Sequence, residues 1–377
     1  MSVSTGSAIQ RLIVNAFMPE RWLMPTEQSR SLLEGTPNLP DWLEATGCAI
    51  AFSTYETHRL FFLGLGDGGR LKAHERMVPR CQGLCADGAA LWVGAQSHLW
   101  RFVNGLTPDE RTPSGADRFY VPRLSYLTGD IDIHDIAVGP DGVPVFVNTR
   151  FSCLAVPDAD RGFRPIWRPG FISALRNEDR CHLNGLALDS AGRPSVVTAL
   201  GRSDVIEGWR EHRVGGGVLI DVPSGNVACG GLSMPHSPRW HRGRLWLLNS
   251  GTGELGTVDL PTGRFEPVCF CPGFARGLAF HGKWAVVGLS RPREGHGTLG
   301  ALPLDAALER AGTVARCGLA VVDIETGTLA HMLWLHHTVN ELYDVAILPG
   351  ARRVEALGLL DARALADAVA TPKDLKD

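Results

Sequence analysis

Three histidines, His134, His182 and His236, stand at near-equivalent places in three successive copies of one returning phrase. Imidazoles that converge in this way have two main uses. As neutral ligands they hold a divalent metal and leave positions open for water or substrate. Unligated, they move protons near neutral pH. The residues alone leave both uses open. Arginines recur at the flanking places, namely Arg150, Arg202, Arg276, Arg291 and Arg293. A guanidinium fork pairs bidentately with carboxylate or phosphate, so the set points to an anionic small molecule.

The elements that must position these side chains follow from the phrase itself. Its copies are "QGLCADGAALWVGAQ", "HDIAVGPDGVPVFVNTR", "NGLALDSAGRPSVVTALGR", "HSPRWHRGRLWLLNSGTG", "RGLAFHGKWAVVGLSR" and "YDVAILPGARRVEALGL". Each reads as strand, Gly-containing turn, strand. Their anchor residues are Gly83, Asp135, Gly185, Ser237, Gly277 and Asp344. The repeat is roughly 40–50 residues, with four short strands in each period, which predicts propeller blades. Near-copies of one hairpin turn, "DVPSGN", "DLPTGR" and "DIETGT", mark the outer strands. The expected fold is all-β, a six-bladed β-propeller. Too little chain follows the last anchor for four strands, so the strands within Cys48 to Gly66 are expected to complete the last blade from the N-terminal side. Residues 1–46 read as a helical extension or cap that includes "TEQSRSLLEG" and "LPDWLEATG". Residues 47–360 read as the propeller, and 361–377 as a C-terminal helix or tail.

In a propeller, residues just before each innermost strand and just after the second strand meet at one mouth of the channel. Before the first strands stand Arg80 and Gln82, His134, His182 and Asn184, His236, Arg276, and Glu341 and Tyr343. After the second strands come Gln96 and His98, Asn148 and Arg150, Arg202 and Ser203, Asn249 and Ser250, and Arg291 and Arg293. Polar residues at such wet positions also serve simply to satisfy strand ends. As a set they define a candidate site. His134, His182 and His236 bind one divalent metal or, without one, transfer protons, and Glu341 or Tyr343 completes the acid–base work. Arg150 and Arg276 clamp the anion, and Arg202, Asn148 and Gln82 are further substrate contacts. Arg276 has no acid close in sequence, since Glu266 and Glu294 are the nearest, and is therefore expected to anchor the ligand. The longest interval between anchors contains "RPREGHGTLGALPLDAALERAGTVARCG", Arg291 to Gly318, read as a lid or wall of the site with a short helix in "PLDAALERAG".

Composition narrows the classes. The 377 residues carry a formal charge of -3 with no basic stripe, which argues against a nucleic-acid partner. The N-terminus "MSVSTGSAIQ" lacks a signal-peptide pattern and no apolar run is long enough to span a bilayer, so the expectation is a cytoplasmic protein without membrane contact. Nine cysteines lack paired C-x2-C spacing and read as reduced thiols. "GLGDGG" satisfies G-x-G-x-x-G but ends a strand in an all-β repeat, so no nucleotide or flavin is expected. No hydrolase elbow, phosphate loop or zinc-protease motif is present. Oligomeric state is not legible.

The phrase "HLNGLALDSAGRPSVV" resembles the strand units of six-bladed propellers of the gluconolactonase and regucalcin type. There an asparagine before a Gly-hydrophobic pair ligates a central divalent metal, and the resemblance implies that role for Asn184. Over roughly Leu39 to Gly350 the chain is more similar to an uncharacterised family of bacterial propeller proteins, sometimes joined to tetratricopeptide repeats. "VNTRFSCLA", "HLNGLALD", "LWLLNSGTGELG" and "HHTVNELYDV" carry that similarity. It implies the fold and no reaction. The leading expectation is an enzyme of hydrolase or lyase type acting on an anionic small molecule at the channel mouth. The alternative is a non-catalytic propeller that binds a ligand or a protein.

Overall fold

The computed structural model describes residues 33–291, 302–336, 339–361 and 363–366. They build six antiparallel sheets around a channel. The innermost strands are Leu84–Asp87, Ile133–Val138, Leu183–Leu188, Pro235–His241, Phe274–His281 and Val345–Pro349, which define blades 1 to 6. Each of the first five phrases forms the two inner strands of its blade. The sixth does not, because after Pro349 the chain leaves blade 6. Val354–Ala356 then pairs parallel with Arg118–Tyr120 as a fifth strand of blade 1.

Ring closure agrees with the sequence reading. Val345–Pro349 is the inner strand of blade 6, and Cys48–Thr54, Arg59–Leu65 and Leu71–Met77 supply the rest from the N-terminal side. Ile50 lies opposite both Ile347 and Leu63. Two segments flank this closure. Leu33–Gly35 adds a strand to the edge of blade 5, pairing with Leu333–Leu335, while Val354–Ala356 adds its strand to blade 1. Leu39–Thr46 is a helix that buries Leu39, Trp42 and Leu43 against blades 5 and 6. Its left-handed C-cap, Gly47, fits the preference of that conformation for glycine.

The core is a set of layers between neighbouring blades. Ile50, Phe52, Phe61 and Leu63 of blade 6 pack on Val286, Val321 and Leu333 of blade 5. Val147, Leu154, Leu186 and Val197 form the equivalent layer between blades 2 and 3. Strand alternation presents one apolar face to each neighbour, so each sheet is buried on both sides.

Polar bonds also run from blade to blade near the site end. Thr149 Oγ1 donates to Leu183 O at 2.6 Å, Asn184 Nδ2 to Pro235 O at 2.9 Å, and Ser250 Oγ to Ala275 O at 2.5 Å. Ser290 Oγ donates to Leu342 O at 2.9 Å, Ser53 Oγ to Gln82 O at 2.5 Å, and the Gly83 amide to Ile133 O at 3.0 Å. One bond thus crosses every seam of the ring. Deeper in the channel Arg239 grips Asp135 through Nη1 and Nη2 at 2.7 and 2.9 Å. Asp135 and Asp344 each accept the backbone N–H of the following blade, from Leu186 and Leu84. Burial and the neighbouring Asp135 push the Asp344 carboxyl up to about 7.

Candidate functional site

The two positions that matter in each phrase are one and three residues before its anchor. The first set is Gln82, His134, Asn184, His236, Arg276 and Tyr343; the second is Arg80, Asp132, His182, Met234, Phe274 and Glu341. Arg80, Asp132, His182 and Met234 adopt the left-handed backbone region, with φ between 45 and 52°. That kink lies at the strand entrance, and all four residues reach the mouth. A cavity of about 200 Å³ lies there, lined by Arg80, Gln82, Asp132, His134, His182, Met234, His236, Arg276 and Tyr343. Tyr55, Arg150, Asp179, Leu200, Glu207, Trp209 and Arg210 complete the wall. Asp179 and Glu207 are also left-handed, leaving only His58, Ser152, Ser237 and Arg242 as such non-glycine residues elsewhere among the described residues. Each costs on the order of 1 kcal/mol or more, and such strain concentrates at functional sites.

All three expected histidines reach this cavity, and each is held through Nδ1. Thr149 Oγ1 spends its proton on Leu183 O, so it accepts the Nδ1–H of His134 at 2.8 Å. Ser250 Oγ spends its proton on Ala275 O and accepts the Nδ1–H of His236 at 2.9 Å, with Met234 O at 2.8 Å as a second acceptor. His182 Nδ1 lies 2.8 Å from Asp179 Oδ2, which also accepts Trp209 Nε1–H at 3.0 Å. In every case Nε2 is left for the cavity. The His134 and His182 rings meet edge to face with centroids 4.7 Å apart, and His134 meets Tyr343 at 5.2 Å. His236 packs on Phe274 instead.

Burial, the His182 ring and the Arg276 guanidinium push His134 down to about 3. Burial and Arg276 likewise hold His236 well below the ordinary imidazole range. Both are therefore neutral at pH 7 and present an unprotonated, hydrogen-bond-accepting Nε2. Burial alone would raise Asp132, yet its carboxyl is held low. With His134 neutral, that effect falls to Arg150 and Arg80, which contact Asp132 at 2.9 and 3.0 Å. Burial raises the Tyr343 phenol well above its usual range and keeps its proton on.

The remaining expected residues divide. Gln82 lines the cavity and donates to Asp132 at 3.3 Å. Arg150 lines it too. Arg276 is there but is not without an acid. Its Nη1 lies 3.4 Å from Glu341 Oε1, because ring closure sets blades 5 and 6 side by side and supplies a partner far along the chain. Glu341 is correspondingly committed, since it also accepts the backbone N–H groups of Tyr55 and Glu56 at 3.2 Å, and it does not line the cavity. Asn184 is turned into the scaffold. Its Oδ1 accepts Thr198 Oγ1–H at 2.7 Å and its Nδ2 serves Pro235 O. Asn148 caps a turn by accepting the Phe151 amide. Arg202 is exposed and sits over Phe171, away from the cavity. Arg291 is exposed and bonded to Asn340; Arg293, with the rest of 292–301, lies outside the described residues. The helix expected in that insertion is Pro303–Arg310. It buries Leu304 and Leu308 beside Trp209 and Met234 and so backs the cavity wall.

Several wall residues escaped the sequence reading. Asp132 and Met234 occupy the second set of positions and are visible once that set is read in every blade. Asp179 precedes His182 by one helical-turn spacing, a signal for an Asp–His pair. Tyr55 and Glu207 sit on turns, and Trp209 and Arg210 on the short 3-10 helix Gly208–His212, none with a repeat signal.

A metal of the kind the regucalcin-type resemblance implies does not fit this donor set. The Asn184 amide is spent on the scaffold, and Arg276 brings a guanidinium into the same ring as His236. Among the described residues no three His, Cys, Asp or Glu side chains are grouped to hold a metal ion.

The fold and this mouth define a six-bladed β-propeller with a polar, histidine-lined cavity at one end of its channel. Residues 37–357 match the domain of unknown function DUF4915, and the chain belongs to that family. No curated protein matches it. Solved structures to which the chain is similar include a nidogen/laminin complex, at 11% identity and TM-score 0.49, covering 80% of this chain and 99% of that one. Another is a streptogramin B lyase, at 12% identity and TM-score 0.42, covering 82% and 88%. Among the described residues no helix is long and apolar enough to cross a membrane.

Proposed function

We propose that this chain is an enzyme of hydrolase or lyase type that works by acid–base chemistry on a small anionic molecule at the histidine-lined mouth. The observation that carries the reading is the common arrangement of His134, His182 and His236, each fixed through Nδ1 with Nε2 left to one cavity. His182 is the general base. Asp179 orients its ring and offsets the charge that forms on it. The proton comes from an attacking water or from a substrate carbon. In the second case the C–H electron pair becomes a double bond as the leaving group departs. Tyr343, which keeps its proton, donates to an oxygen of the anion beside Arg276, which meets its charge. Neutral His134 accepts a hydrogen bond and aligns the substrate or water.

The cavity is smaller than the roughly 300 Å³ at which drug-sized sites begin, so the ligand is a compact metabolite. The test incubates the protein with small carboxylates and phosphates in D2O and follows solvent deuterium and product by NMR. His182→Gln and Asp179→Asn should abolish exchange or turnover while the circular dichroism spectrum is kept. Binding without exchange or turnover would make the protein a binding module. A transition metal retained stoichiometrically through purification would return the histidines to the ligand role.

A further inference from the structure

Four guanidinium groups border the cavity, and their partners restrict what charge they can meet. Arg80 is bound by Asp130 and Asp132, Arg150 by Asp132, and Arg210 by Glu207 at 2.9 Å. Arg276 has the longest of these contacts, 3.4 Å to Glu341, and its Nε is buried without a protein partner. Tyr343 Oη is the second buried donor of the wall without a partner. The two belong together, since the Arg276 guanidinium lies 5.2 Å from the Tyr343 ring centroid. An unmet buried donor is costly, and a ligand oxygen would relieve that cost. Other donors of the wall are already used: Gln82 Nε2 by Asp132, and Trp209 Nε1 by Asp179.

We infer that the ligand is a small monocarboxylate whose single carboxylate is held by Arg276 and Tyr343, and not a phosphate ester or a dicarboxylate. The inference rests on the proposed function and narrows its substrate class. Two adjacent unmet donors match the two oxygens of one carboxylate. A phosphate brings three oxygens and a second charge, and a dicarboxylate brings a second carboxylate, whereas Arg80, Arg150 and Arg210 already meet carboxylates at 3.0 Å or less. Burying that extra charge unpaired is unfavourable.

Isothermal titration of the whole chain at pH 7.5 and fixed ionic strength, with glycolate, butyrate, malonate and inorganic phosphate as probes, tests this. At least one monocarboxylate should bind with a Kd tenfold or more below those of malonate and phosphate. Tyr343→Phe removes only the unmet hydroxyl and should weaken that binding at least threefold with the melting temperature unchanged. The double variant Arg276→Gln/Glu341→Gln, which removes both members of the pair, should abolish it, and Arg202→Gln should not alter it. Tighter malonate or phosphate, still lost in the double variant, would overturn the single-carboxylate inference and leave the cavity as an anion site. Binding indifferent to both the Tyr343 and Arg276 changes, or no binding by any probe, would overturn the reading on which it rests.

Discussion

Arg276 stands between scaffold and ligand, and its share of each is measurable. Two unit charges 3.4 Å apart attract by about 5 kcal/mol at an effective dielectric of 20. Glu341 is 3% exposed, so part of that attraction is offset by its desolvation. The contact is also single and long. We therefore expect a coupling energy of about 1–3 kcal/mol between the two side chains. Arg276→Gln alone should destabilise the fold by about 2–3 kcal/mol, because it strands a buried carboxylate. Glu341→Gln should cost about 1–2 kcal/mol, and the double variant less than the sum of the single effects. Urea unfolding of the four proteins gives the cycle directly, and thermal melts should move by about 2 °C per kcal/mol in a chain of this size. A coupling energy below about 0.3 kcal/mol would refute the pairing. Arg276 would then be a ligand anchor without a structural role.

Thr149→Val removes one bond across the seam of blades 2 and 3 and takes from His134 Nδ1 its hydroxyl acceptor. It should cost about 1–3 kcal/mol in urea unfolding, whereas Thr149→Ser keeps the hydroxyl and should cost less than half of that. Stability should fall as pH drops from about 6.5 to about 3, because His134 and His236 stay neutral when folded but take up protons when unfolded. Asp344, raised to about 7, works in the opposite direction between about 4 and 7, while His74 and His331, which burial also holds below the ordinary imidazole range, add to the loss, so the histidines set the direction. Denaturant titrations from pH 4 to 7 check the slope, and His134→Gln should flatten it. Truncation after Ala351 removes the added strand of blade 1 and should lower the melting temperature by several degrees, whereas truncation after Asp361 retains that strand and should leave it within about a degree.

How much of this was legible in the chain depends on distance along it. The blade phrase recurs because each blade must repeat one inner hairpin, so the ring, its order and its N-terminal completion could be read from anchors and turns. The positions one residue before each anchor point to His134, His236, Arg276 and Tyr343, which line the cavity, since a repeat carries position with it. Pairing was not carried. Glu341 meets Arg276 only because blade 6 follows blade 5 in space, and no local spacing records that contact. Asn184 shares the slot of His134 but differs in what its neighbour offers. Thr198 and Pro235 O consume its amide, while Thr149 and Ser250 leave one imidazole nitrogen of His134 and His236 free. The left-handed residues at the strand entrances are arginine, aspartate, histidine and methionine, so composition gave no glycine to mark them.

The closing blade fixes an order of events during synthesis. Its outer three strands are among the first made and its innermost strand, Val345–Pro349, among the last, so those early strands wait for almost the whole chain. Until then blades 1 and 5 present faces and edges that nothing covers, and open strand edges invite pairing with other chains. Contacts that join the two ends are slow to form because their loop is the longest the chain can make. The ring is thus closed only once Val345–Pro349 has been made, and a ribosome that stalls before Val345 releases a product with five blades and no seal.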